Sequence, residues 1–430
     1  MTSPTVRPTH WDIFEEHLDE AAFLWRRWED ALVASNFALD DVQVGPEARL
    51  LAHLDGLVLG GRRIAQELLL PALVADDPAQ SFAATWALVQ AEDGDDYHDP
   101  VVDALVHGAP RLRAANARAL SLASRTDLNR LAELWPAAST PVRAALFDVL
   151  GSRDGDRVRP WLESSLRSDD PSLVMAALRS FRRSPDRRLA AAVEDAQSSN
   201  DGSVRNEAIA AGVALQSKSA WDACRAAAVD PGEGCRLPLG LLAMSSEKRD
   251  RAIVHAAAGD AALKRHAVWA LGFAGDLDAA EALLEATNDE SVARVAGESL
   301  STMTGLALGR SMIQAGKTIG PDVEEVGLDD PPPVVRTEDQ LAVPNAKNLK
   351  LWWTRERNRF SAGVDHLHGR PRTPETVHAA LRSATMWRRE VFWTEWARAT
   401  GVPSRVNLGA WSADQRRQWS EDATARARTR

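Results

Sequence analysis

The chain has 430 residues, 45% of them hydrophobic and 26% charged, and a net charge of −10. This composition is ordinary for a folded protein and argues against wholesale disorder, while the acidic balance argues against a general nucleic-acid binder. One tyrosine against 15 tryptophans, in a background rich in Ala and Leu, favours helix over sheet.

The first 16 residues contain no apolar core of a secretory leader, and no run approaches the roughly 18 apolar residues of a membrane span. Cys224 and Cys235 have no His or Cys cluster beside them, so neither a disulfide nor a zinc site is expected. A soluble protein of the reducing cytoplasm is the expectation.

Residues 10–75 read as an N-terminal helical cap. Its first helix, over 10–35, places Ile13, Phe14, Leu18, Ala21, Ala22, Trp25 and Trp28 mostly three or four apart. A loop is expected over 37–45, a second helix from Pro46, and a third over 62–74 after Gly60-Gly61.

From 76 to 305 one pattern recurs every 28 to 32 residues: a break, a small or β-branched anchor, then an Ala/Leu-rich helix. The anchors are Gln80, Leu112, Val142, Leu173, Val204, Cys235, Leu263 and Val292. Breaks such as Asp76-Asp77-Pro78 and Asp169-Asp170-Pro171 supply N-cap oxygens and first-turn prolines. A second helix returns in each copy, as over 276–286. Two helices per short period predict an all-α, armadillo-like fold, a HEAT-like α-solenoid of helical hairpins.

Residues 306–346 are acidic and proline-rich, with Pro331-Pro332-Pro333 unable to continue a helix, and read as a linker. Residues 347–420 then read as a Trp/Arg-rich helical module holding seven tryptophans. From Lys347 to the end, 17 Lys and Arg against 8 Asp and Glu give +9, leaving −19 on the rest.

Two resemblances follow. Asp201 to Ala208, DGSVRNEA, resembles the HEAT-like repeats of phycobilin-lyase-related and other bacterial scaffold proteins. Those repeats carry binding, lyase and glycosylase roles, so the likeness implies a fold and little chemistry. The phrases EHLDEAAFLW (16–25) and AHLDGL (52–57), with the C-terminal stretch 353–371 and its following helix, are similar to a proteobacterial HEAT-repeat family. Genes of that family often lie beside type VI secretion genes encoding spike and adaptor components. The resemblance implies no catalytic residue.

The doubled His-Leu-Asp offers imidazole and carboxylate on two helices: His17 with Asp19, and His53 with Asp55. Residues two apart on a helix point about 160–200° apart, so neither phrase can aim both groups at one point. Cross-helix hydrogen-bonded pairs, His17 to Asp55 and His53 to Asp19, are the expectation, and no metal site. In the C-terminal module Trp352, Trp353, Arg355 and Arg359 form one cluster, and Trp387, Arg388, Arg389 and Trp393 another. Either these residues form the module's own core, with arginine stems covering indoles, or they anchor a protein partner. The histidines of Asp365-His366-Leu367-His368-Gly369 read as solvated loop residues.

No phosphate-binding loop, nucleophile elbow, paired-cysteine motif or dinucleotide fingerprint is present, and no cofactor or catalytic residue is expected. The function expected is a non-enzymatic scaffold or adaptor holding a protein partner, such as a secretion spike, cargo or chaperone. The alternative is an enzyme or small-ligand binder on the same repeats, lyase-like or of base-excision type.

Overall fold

The computed structural model describes residues 10–314 and 336–427. Most of the expected acidic linker, and the first nine residues considered for a leader, lie outside the described residues.

The longer helices, in chain order, begin with α1 (Trp11–Ala31), α2 (Ala48–Leu59), α3 (Pro78–Gln90), α4 (His98–His107) and α5 (Pro110–Leu122). Next come α6 (Leu128–Glu133), α7 (Thr140–Arg153), α8 (Arg159–Leu166) and α9 (Pro171–Arg183). They continue with α10 (Ala190–Ala196), α11 (Gly202–Ala214), α12 (Lys218–Ala228), α13 (Arg236–Met244) and α14 (Lys248–Gly259). After α15 (Lys264–Ala274), α16 (Leu277–Ala286) and α17 (Ala293–Thr304) come α18 (Ala346–Glu356), α19 (Pro374–Ser383), α20 (Arg389–Thr400) and α21 (Ser412–Ala427). A two-stranded antiparallel hairpin, His366–Leu367 with Arg370–Pro371, is the one sheet among the described residues. The fold is all-α.

The chain forms two compact units. One holds residues up to Leu32, Asp40–Pro185 and the segment from Arg405; the other holds Val33–Leu39 and Asp186–Ser404. The residues of the expected C-terminal module are therefore divided between the units at Ser404 and Arg405.

In the first unit α3, α5, α7 and α9 stack side by side, while α4, α6 and α8 return between them. The cap joins this row through α1 on α3, where Trp25 stacks on Phe82 at 4.6 Å. The expected loop over 37–45 is instead largely helical. It holds a helical turn, Leu39–Val42, followed by a wide one, Gln43–Glu47, which Gly45 and Pro46 bend.

In the second unit α11, α13, α15 and α17 form the corresponding row, with α12, α14 and α16 as returns. Seven of the eight anchors are buried, all except Gln80, because each sits at the start of a row helix and faces its neighbours. The capping follows from sequence as well. The side chains of Asp77, Asp170 and Asp201 accept the first free N–H groups of α3, α9 and α11.

α20 lies against α11 and α13, flanked by α19. The row of the second unit is thus covered by a later segment of the same chain.

Candidate functional site

The second expected cluster is interior to this packing. Arg388 is 0% exposed and Arg389 1%, with Trp393 at 6% and Trp387 at 9%. Arg388 donates Nε to both oxygens of Glu298, at 2.7 and 3.0 Å, and Nη1 to the carbonyl of Trp269 at 3.0 Å. Ser299 Oγ accepts from its Nη2 at 2.8 Å. Glu298, on α17, also accepts from Thr385 and from Trp387 Nε1. Every arm of the guanidinium is satisfied, as a buried charge requires. Position 272 is a glycine, and a Cβ there would lie 2.9 Å from Arg388 Nη1. Arg389 donates to the Leu381 carbonyl at 2.9 Å, and burial pushes its guanidinium down to about 9.

These four residues are core, so they offer no open docking patch. In the first cluster Trp353 is buried on Phe360 at 5.2 Å between ring centres, and Trp352 is half-buried beside it. Arg355 and Arg359 are exposed, Arg359 pairing with Glu356 at 2.8 Å. The structure does not bring the two clusters together at one surface.

What it does bring together beside Trp387 is a polar cleft of about 240 Å³ on the second unit. Glu233 comes from the turn before α13, Arg236 from α13, and Arg265, His266 and Trp269 from α15. Arg336, Thr337 and Glu338 close one side. Arg265 bridges Glu233 and Glu338, its Nη1 reaching Glu338 at 2.7 Å. Burial raises Glu338, but hydrogen bonding and charge from Arg265 outweigh it and hold the carboxyl below its ordinary range. His266 is lowered by burial first and by Arg265 second.

Arg236 is the exception in this wall. Its guanidinium carbon lies 4.5 Å from the ring centres of both Trp269 and Trp387, whose planes meet at 70°. It makes no hydrogen bond or ion pair among the described residues, and its Nη2 is buried without an acceptor. Burial, and then repulsion from Arg388, lower it to about 10. Sequence reading passed over Arg236, Arg265 and His266 because they sit inside ordinary repeat copies.

The doubled His-Leu-Asp is corrected too. His17 and His53 pair with each other, Nδ1 to Nδ1 at 3.0 Å, rather than with the aspartates. Asp19 instead accepts from Gln80 at 2.9 Å, and burial raises the Asp55 carboxyl. Gly56, three residues on from His53, leaves room for the His17 ring, since a Cβ there would lie 2.8 Å from His17 Nε2. The histidines expected in a solvated loop belong to the β-hairpin. His366 is buried edge-on to Phe360 at 5.1 Å, and His368 is half-buried. No cluster of metal-ligating side chains occurs among the described residues. Both cysteines are buried, and burial pushes both thiols up.

Among the described residues no helix is long and apolar enough to cross a membrane. No family model and no curated protein matches the sequence. Among solved structures the chain is similar to YibA of Escherichia coli at 13% identity, over 70% of this chain and 99% of that one, with a TM-score of 0.33.

Proposed function

We propose that this chain is a non-enzymatic, protein-binding helical-repeat scaffold and, from the resemblance of its terminal phrases, an accessory of a type VI secretion system. The observation that supports it is how differently the two rows of helices present the same position. Six residues after the anchors of the second unit stand Ala210, Leu241, Trp269 and Glu298, all buried, and the last two contact Arg388. The row of that unit already receives a helix of its own chain.

The equivalent positions of the first unit are Trp86, which is buried, then Arg118, paired with Glu29 at 2.7 Å, and Asp148 and Arg179. Asp148 and Arg179 keep 44% and 48% of their side chains exposed and face each other at 3.5 Å. Such a pair contributes at most about 1 kcal/mol to stability, so its groups can be re-paired by a partner at little cost. A charged row of this kind suits a partner helix carrying the complementary signs.

The test is recovery of a stoichiometric partner by tagged full-length protein from its native host, beside the swap Asp148→Arg with Arg179→Glu. The swap keeps an opposite-charge pair at these two positions and exchanges their signs, while Arg118 stays positive. Recovery is expected to fall about tenfold or more, equivalent to ~1.4 kcal/mol. Secretion of the spike protein should follow the same order. Equal recovery by both proteins, or no stoichiometric partner, would remove this role.

A further inference from the structure

We propose that the cleft around Arg236 is a binding site for a single carboxylate group. The inference goes beyond the scaffold role and rests on different residues.

The first ground is the contrast between neighbouring arginines. Arg388 and Arg265 each hold carboxylates of this chain, whereas Arg236, mostly buried beside them, has indole rings for company and no acceptor among the described residues. Cation–π contact with the indoles offsets only part of what desolvating a cation costs. An acceptor supplied from outside makes up the difference.

The second ground is the polarity of the unpartnered atoms. In the lining two buried polar atoms lack partners among the described residues, Arg236 Nη2 and Trp269 Nε1, and both are donors. The ligand they call for accepts hydrogen bonds.

Charge and size narrow the class. Arg236, Arg265 and Arg336 against Glu233 and Glu338, with His266 neutral, leave one positive charge in the lining. That balance suits a monoanion, and the two glutamates disfavour a doubly charged phosphate. The cleft has a volume of about 240 Å³. It is below the ~300–1,000 Å³ of pockets for drug-sized ligands. A planar carboxylate matches the guanidinium fork.

The group can belong to a small free acid or to an acidic side chain of a polypeptide, and the test separates them. Seating an acceptor shifts the guanidinium against Trp269 and Trp387, so indole fluorescence reports binding. The full-length protein is titrated with sodium propionate and with the capped peptide Ala-Ala-Glu-Ala-Ala. The glutamine peptide and inorganic phosphate are the controls. A saturable change is expected with at least one carboxylate probe, and the tighter of the two identifies the source.

Affinity should fall about tenfold or more in Arg236→Met, which fills the same space without the charge. Arg236→Lys keeps the charge without the planar fork. It should also bind more weakly, and it carries the test if the methionine variant does not fold. No saturable change with either carboxylate, equal binding of the glutamine peptide or of phosphate, or undiminished binding by the folded variants would each overturn the proposal. None of these outcomes bears on the Asp148–Arg179 row.

Discussion

His17 and His53 form the clearest titratable pair outside the cleft. A 3.0 Å contact between two Nδ1 atoms needs one N–H donor and one lone pair, so at least one ring must be neutral. Burial, and then the neighbouring His17, lower His53 from its ordinary 6.5. The folded state therefore binds this proton less readily than the unfolded chain. Its contribution to stability is full above pH 6.5 and declines as the pH falls through the lower folded value. A proton NMR titration should place the His53 midpoint below 6.5, and a midpoint at or above 6.5 would contradict the pairing. The sequence displayed both histidines and both aspartates, and the expected His–Asp pairing across the helices gave way to a His–His one. Facing between α1 and α2 is set by how the helices roll against each other, which spacing along either one does not encode.

At the scale of elements, the β-hairpin shows how short pieces complete long ones. His366 N–H donates to the Gly275 carbonyl at 2.8 Å, and His368 N–H to that of Thr302 at 2.9 Å. The hairpin thus satisfies carbonyls at the C-terminal ends of α15 and α17, which helices leave unpaired. Gly275 takes φ +80°, and a Cβ there would lie 2.6 Å from the His366 carbonyl oxygen. Gly275→Ala should therefore cost at least the ~1–2 kcal/mol of a left-handed alanine, with the backbone clash added. Urea denaturation checks this, and a loss below that range would mean the hairpin is not held here. The helices themselves were legible, since capping aspartates, prolines and apolar spacing are local signals. The two-residue strands were not, because so short a pairing has no period to read.

At the scale of the whole molecule, the first unit draws on both ends of the chain. Glu47 is buried and accepts from Trp28 Nε1 at 3.0 Å and from the backbone N–H of Ser412 at 2.9 Å. Burial raises its carboxyl, with Ser412 and then Trp28 pulling the other way. Trp411 packs on Trp28 at 4.6 Å. A chain ending at Ser404 would leave Glu47 without Ser412 and Trp28 without its cover. Each hydrogen bond to a charged group contributes about 1.5–3 kcal/mol. Faster amide exchange in α1 and α2 is the expected outcome, and unchanged exchange would show that the C-terminal segment is dispensable to this unit.

The sequence by itself determined the helical repeats, their anchors and their caps, because each depends on residues a few positions apart. Only the tertiary structure decided which tryptophans and arginines are core and that Arg236 lacks an acceptor among the described residues. Arg388 and Glu298 are 90 residues apart in sequence. An arginine beside a tryptophan reads alike whether it is sealed by such a carboxylate or, as Arg236 is among the described residues, left without one. The distinction belongs to the partner brought against it, and folding alone supplies that partner.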